Sequence, residues 1–131
     1  MSSSWDSYIT EILKVEGVAS AAILGKDTGE LSVWARSDDF STDDLSLLDV
    51  VKGFSDQDML RAGGIRLRSD EKYMTTIATD DFVHGKKGDN GVMLFDAGTG
   101  IIAITYDATG VAGTISAGVA RFADYLKTVL V

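Results

Sequence analysis

Apolar residues recur at helical spacing over residues 4–15, where Trp5, Tyr8, Ile9, Ile12 and Leu13 gather on one side and Ser4 is placed to cap the first turn. The pattern then changes to two short apolar runs, "ASAAIL" and "LSVWA", divided by "GKDTGE". Runs of that length around a turn rich in Gly and Asp predict a β-hairpin. "STDDLSLLDVVKGF" reads as a second helix, with Ser41 or Thr42 as cap, acids in the first turn, and Leu47, Leu48, Val51 and Phe54 as its apolar face. A short third helix is expected over residues 55–61, stopped by Gly63 and Gly64. "GIRLR", "KYMTTIA", "GVMLFD" and "GIIAITYD" follow as strand candidates, with "DFVHGKK" as a further one. Their short connections favour an antiparallel meander. A long helix over about residues 114–130 closes the chain, with Ile115, Val119, Phe122, Leu126 and Leu130 in one stripe. Terminal helices around a mostly antiparallel sheet make an α+β architecture.

Composition narrows the chemistry. A chain of 131 residues with 45% apolar side chains supports a core in one domain, 1–131, and nothing in it marks a linker or a repeat. There is no cysteine and a single histidine, His84, so thiolate and multi-histidine metal sites are excluded and no cofactor is expected. The start, "MSSSWDSY", has no signal-like pattern, and no apolar run reaches the ~18 residues of a membrane span, which points to a soluble intracellular protein.

Charge is spread unevenly. The formal net charge is -8, yet Arg61, Arg66, Arg68, Lys72, Lys86 and Lys87 outnumber the four acids in the same stretch. That balance argues against nucleic-acid binding, which needs a broad basic surface, and leaves room for a local basic site facing one acidic partner. The knuckle "HGKKGDNG" does not follow the phosphate-loop order, and Asn90-Gly91 reads as the turn of a hairpin carrying exposed lysines. The acidic clusters lack calcium-loop spacing. His84 has no nucleophile signature beside it and reads as a solitary surface histidine, so no catalytic residue is assigned.

The aromatics carry more information. Taking 100° per residue, Tyr8 falls roughly 80° from the centre of the first helix's stripe, and Tyr125 is similarly offset on the last. Strand alternation puts Trp34 with Ser32 and Arg36, opposite Leu31, Val33 and Ala35. These rings are either boundary residues covered by neighbouring elements, or an aromatic groove in which Trp5, Tyr8, Trp34 and Tyr125 stack on a preformed polyproline II ligand.

At these residues the sequence resembles the profilin family. "SWDSYI", "AAILG", a tryptophan in the second strand, "RAGG", "GKKG" followed by "GV", and the terminal "ADYL" stand in the order and spacing of the shorter profilins along essentially the whole chain. The resemblance implies a six- or seven-stranded antiparallel sheet with the terminal helices on one face and the middle helices on the other. It implies a cytoplasmic, monomeric cytoskeletal protein without enzymatic activity. Its partners would be monomeric actin, proline-rich actin regulators such as formins and, weakly, phosphoinositide headgroups. Carried over, Trp5, Tyr8, Trp34, Tyr125 and Leu126 would line the proline groove, while Lys72, Lys86, Lys87, Gly113, Ser116 and Arg121 would lie on the actin side. Two departures, Ile77 and Asp81 where some profilins are basic and Val131 where many end in an aromatic, imply weaker actin binding. A roadblock-type dimerisation module, with "VEGV" and "AAIL" at a similar place, and a small-molecule sensor of related shape are the alternatives.

Overall fold

The computed structural model describes residues 4–26, 32–37, 40, 44–54, 56–68, 71–79 and 81–129. Helix α1 (Ser4–Leu13) leads into β1 (Val18–Gly25) and β2 (Val33–Arg36); α2 (Asp44–Phe54) and α3 (Gln57–Gly63) follow. Then come β3 (Ile65–Arg68), β4 (Glu71–Ala78), β5 (Phe82–Lys87), β6 (Asn90–Asp96), β7 (Gly100–Tyr106) and the terminal α4 (Ala112–Val129). The strands form one antiparallel sheet in the order β2-β1-β7-β6-β5-β4-β3. The α+β expectation and the strand candidates, "DFVHGKK" included, hold.

The central strands are apolar on both faces because both are covered. Along β1, Ala21 and Ile23 face α1 and α4 with Met93, Ile102, Ile104, Ile115 and Leu126, while Ala22 and Leu24 face α2 and α3 with Val51, Phe54, Leu60 and Leu94. Burying a side chain of this size contributes roughly 1.5–3 kcal/mol, so each layer is held by many such increments. The helices grip unequally. Helix α1 lies over β1 and β2 and α4 over β6, which leaves the β3–β5 end of that face without a helix.

Local chemistry moved several boundaries. The first helix ends at Leu13, two residues before the expected limit, in a turn containing Gly17 at φ +98. Helix α3 starts two residues late, because Asp56 caps it by accepting the Met59 N–H at 3.4 Å. Gly64, at φ +74, closes that helix. A Cβ there would stand 2.6 Å from the Tyr73 carbonyl oxygen. The caps expected at Ser41 and Thr42, the "DTGE" part of the first turn and Leu130 lie outside the described residues.

Two corrections concern sequence signals. The β5–β6 hairpin exists, but Lys87 pairs with Asn90, so its two-residue turn is Gly88-Asp89, led by Gly88 at φ +61, and not Asn90-Gly91. Gly91 serves another purpose: the Tyr106 ring lies on it, where a Cβ would be 2.1 Å from the ring. In the β1–β2 pair the register shifts between Ile23 and Leu24, which lie opposite Ala35 and Val33, so strict alternation along β2 breaks at Trp34. Trp34 consequently packs against the same core cluster as Ala35, and does not lie on the opposite face with Arg36.

Candidate functional site

Between α1 and α4 the fold leaves a hollow of about 530 Å³ lined by Ser7, Tyr8, Glu11, Arg121, Phe122 and Tyr125. The two tyrosines sit off their helices' core stripes, so packing the stripes together brings them beside each other above the core. Their ring centroids are 6.1 Å apart at 44°. Tyr125 stays 53% exposed, while Tyr8 is half-buried. Hydrogen bonding to Tyr125, with desolvation a lesser cause, raises the Tyr8 phenol above its ordinary value. The result is an apolar wall of rings with hydroxyl tips, flanked by one acid and one arginine. Such a surface suits an extended ligand that offers rings or carbonyls.

The other groove residues are distributed differently. Trp34 is half-buried and rests on the sheet at the cross-strand pair Gly25 and Gly100. A Cβ at Gly100 would come 2.8 Å from the indole, and one at Gly25 3.2 Å from its nitrogen, so both glycines make the bed for this ring. It does not line the tyrosine hollow. Leu126 is fully buried in the core beneath α4 and offers no surface, which corrects its assignment to the groove lining. The side chain of Trp5 lies outside the described ones; its backbone belongs to α1, three residues before Tyr8. Phe122, Glu11 and Ser7 were missed because the helical stripe marks Phe122 as core and the polar pair carries no motif.

A second surface is the uncovered end of the sheet. Met74 pairs with Lys86, and both point to the face that carries α1 and α4 elsewhere, as does Lys72 two residues before Met74. Met74 is 62% exposed and Ile77 47%, an unusual pair of large apolar side chains for open sheet. Lys86 lies opposite Gly91, which in turn lies opposite Tyr106, and α4 begins a few residues later. The exposed Gly113 and the half-buried Ser116 thus stand at the same end of the molecule. Ser116 also lines a hollow of about 420 Å³ between α4 and β5–β6, with Phe82, Phe95 and Ala120.

Two residues do not join this surface. Lys87 follows Lys86 along β5 and therefore points to the α2–α3 side, so the double lysine divides between faces. Arg121 lines the tyrosine hollow on the other flank of α4. His84 also differs from the surface histidine expected: it is 9% exposed, with its ring between Phe82 and Tyr106. Among the described residues no cluster of His, Cys, Asp and Glu could hold a metal ion, and no helix is long and apolar enough to cross a membrane.

The family model described as Profilin matches residues 3–130. Profilin-A of Physarum polycephalum is 35% identical over 125 residues, covering 95% of this chain and 96% of the relative. The solved profilin IB of Acanthamoeba castellanii is 32% identical, with a TM-score of 0.84 over 95% of this chain and 98% of its own. At 18% identity and a TM-score of 0.75, mouse profilin IIa, solved with a double repeat from the FH1 domain of mDia1, shares the fold over 96% of this chain and 98% of its own. LokiProfilin2, solved with rabbit actin, does so at 17% and 0.76, over 98% of each chain. The roadblock-type alternative finds no support in these matches.

Proposed function

The chain belongs to the profilin family, and from that premise we propose that it regulates actin assembly by binding monomeric actin on one surface and proline-rich segments of actin regulators, such as formins, on another. It works as one domain over residues 1–131, in the cytoplasm, by binding and not by catalysis. The paired rings of Tyr8 and Tyr125, 6.1 Å apart in the cleft between the terminal helices, are the observation that carries this reading. A polyproline II segment loses little conformational entropy on binding, and flat rings fit its pyrrolidine faces. Trp5, one turn before Tyr8 on α1, is assigned to the same ligand by this reading, while Trp34 packs on the same side of the sheet outside the hollow.

Actin is assigned to the uncovered sheet face: Met74 and Ile77 supply apolar contact, Lys72 and Lys86 positive charge, and Gly113 and Ser116 the edge of α4. On an otherwise acidic chain, Lys72 and Lys86 on this face are suited to steer towards an acidic partner. The same lysines give weak, salt-sensitive attraction to phosphoinositide headgroups, since screening acts over ~8 Å at physiological salt.

The test is a titration with an oligoproline peptide followed by tryptophan fluorescence, beside a pyrene-actin assembly assay. Saturable fluorescence change and slowed spontaneous assembly are expected. An unchanged fluorescence with no heat by calorimetry at several temperatures removes the proline groove, and undisturbed assembly removes the actin role.

A further inference from the structure

His84, the chain's one histidine, is held at both ring nitrogens beneath the uncovered sheet face. Nδ1 lies 2.8 Å from Thr76 Oγ1 and Nε2 2.5 Å from the Tyr106 hydroxyl. The Thr76 hydroxyl also donates to the His84 carbonyl at 3.2 Å. A hydroxyl has one proton, so with it on the carbonyl, Thr76 can only accept from Nδ1–H. Nε2 is then the bare nitrogen and accepts the Tyr106 O–H. Neutral imidazole satisfies every partner in this chain.

The chain pins an irregularity in β4. Pairing with β5 shifts register between Thr75 and Ile77, so that Thr76 reaches the His84 ring while Ile77 pairs with His84 directly. The bulge is what turns Ile77 outward beside Met74.

We propose that His84 is a positioning residue for the docking face: clamped neutral between Thr76 and Tyr106, it fixes how β4 presents Ile77 and Met74, and its protonation loosens that presentation and weakens partner binding there, leaving the tyrosine hollow unaffected. This rests on the assignment of actin to that face.

Protonation adds a hydrogen at Nε2, aimed at the Tyr106 oxygen, and the phenol must turn its own proton away. Burial raises the Tyr106 phenol, so it stays a hydroxyl throughout. The surroundings do not welcome a cation. Lys86 stands two residues along the same strand and Lys72 on the same face of β4, while β6 contributes uncharged Gly91 and Met93, and β7 the phenol alone. Asp81 before β5, and Asp124 and Lys127 from α4, stand at the Phe82 end. Burial first, and Lys86 second, hold the imidazole below its ordinary value.

One histidine gives one pair of ring C–H signals, so its titration can be read directly by NMR in the free protein. The Ile77 and Met74 methyl signals are expected to move with the same midpoint as the ring. In Tyr106→Phe, where Nε2 no longer accepts, that midpoint should rise towards the ordinary value of about 6.5. Actin binding is then compared at about pH 7.5 and about pH 5.5, either side of that value, for the unmutated protein and His84→Gln, which cancels titration of actin itself. The unmutated protein should lose about fivefold more affinity than the variant on acidification, with oligoproline binding changing equally in both. Methyls that ignore the ring titration, or identical pH dependence in the two proteins, overturn the proposal. Should neither protein bind actin, the assignment of the face to actin falls, and the ring–methyl coupling alone decides whether His84 positions β4.

Discussion

The tyrosine hollow and the uncovered sheet face lie on the same side of the sheet, separated by α4, yet they are built by different rules. The hollow is a property of two helices: residues just off each apolar stripe meet wherever the stripes pack, so its walls follow from a 3.6-residue repeat. The sheet face is a property of register. A one-residue slip exchanges every side chain between faces, and this surface contains a bulge at Thr76 and a turn at Gly88-Asp89 that decide which residues emerge. Helix-built sites are tolerant of small sequence changes. Sheet-built ones depend on glycines and cross-strand bonds that touch no ligand.

The largest effect is expected where that dependence is strongest. Gly91→Ala would put a Cβ 2.1 Å from the Tyr106 ring, which is trapped against the α4 side of the core. The ring must move, breaking its bond to His84, or β6 must shift. Overpacking of this kind costs about 1–3 kcal/mol, and the lost hydrogen bond adds to it. Chemical denaturation should show the drop, while Gly88→Ala, with open space around it, tests only the cost of its positive φ. Equal losses in the two variants would mean that Tyr106 relaxes freely.

Next comes a crossed pair of surface substitutions. Tyr125→Ala removes half of the ring pair without disturbing a buried residue and should weaken oligoproline binding by about 2 kcal/mol, with actin binding unchanged. Ile77→Asp places a charge in the exposed apolar patch and should do the reverse, by a similar amount. Calorimetry with both ligands on both variants measures the separation. A variant that impairs both activities equally at retained stability would show that the two surfaces are one.

The same division explains what could be read without coordinates. The helices, all the strands and the two aromatic helix positions were legible because each rests on a local period. Trp34 was assigned to the wrong face because one register shift in the β1–β2 pair breaks the alternation on which the reading rests. Asn90-Gly91 is a strong turn pair, yet Gly88-Asp89 makes the turn, since Gly91 is required under Tyr106. His84 looked solvated because strand "DFVHGKK" gives no sign that Thr76 and Tyr106, on β4 and β7, close over its ring. Leu126 lies on the stripe that the sequence itself shows, and the pattern argued for the core where resemblance assigned it to the groove.

A smaller and graded effect is expected with pH. Because His84 titrates lower in the folded chain than the ordinary histidine value, the unfolded chain binds the proton more readily. Stability should therefore be full above the unfolded value of about 6.5 and decline as pH falls from there through the folded one. Denaturant midpoints measured across that window should fall for the unmutated protein, and fall less for His84→Gln. A parallel decline in both would trace the effect to carboxylates instead.

The smallest effect separates two neighbouring residues. Lys86 and Lys87 are adjacent and both exposed, and a reading by charge alone makes them equivalent. Alternation along β5 does not: Lys86 stands opposite Met74 on the proposed actin face, and Lys87 stands opposite Asn90 and points to the α2–α3 side. Charge on an open surface acts mainly on encounter rate and is screened by salt. Lys86→Glu should accordingly slow association with actin several-fold at low ionic strength, the difference shrinking as salt is added, while dissociation changes little. Lys87→Glu, on the far side of the sheet and at its end, should change the rate less, through the long-range field alone. Stopped-flow association at two salt concentrations distinguishes them, with oligoproline binding as the control for folding. Identical slowing by the two substitutions would mean that the whole hairpin tip, and not one face of β5, meets the partner.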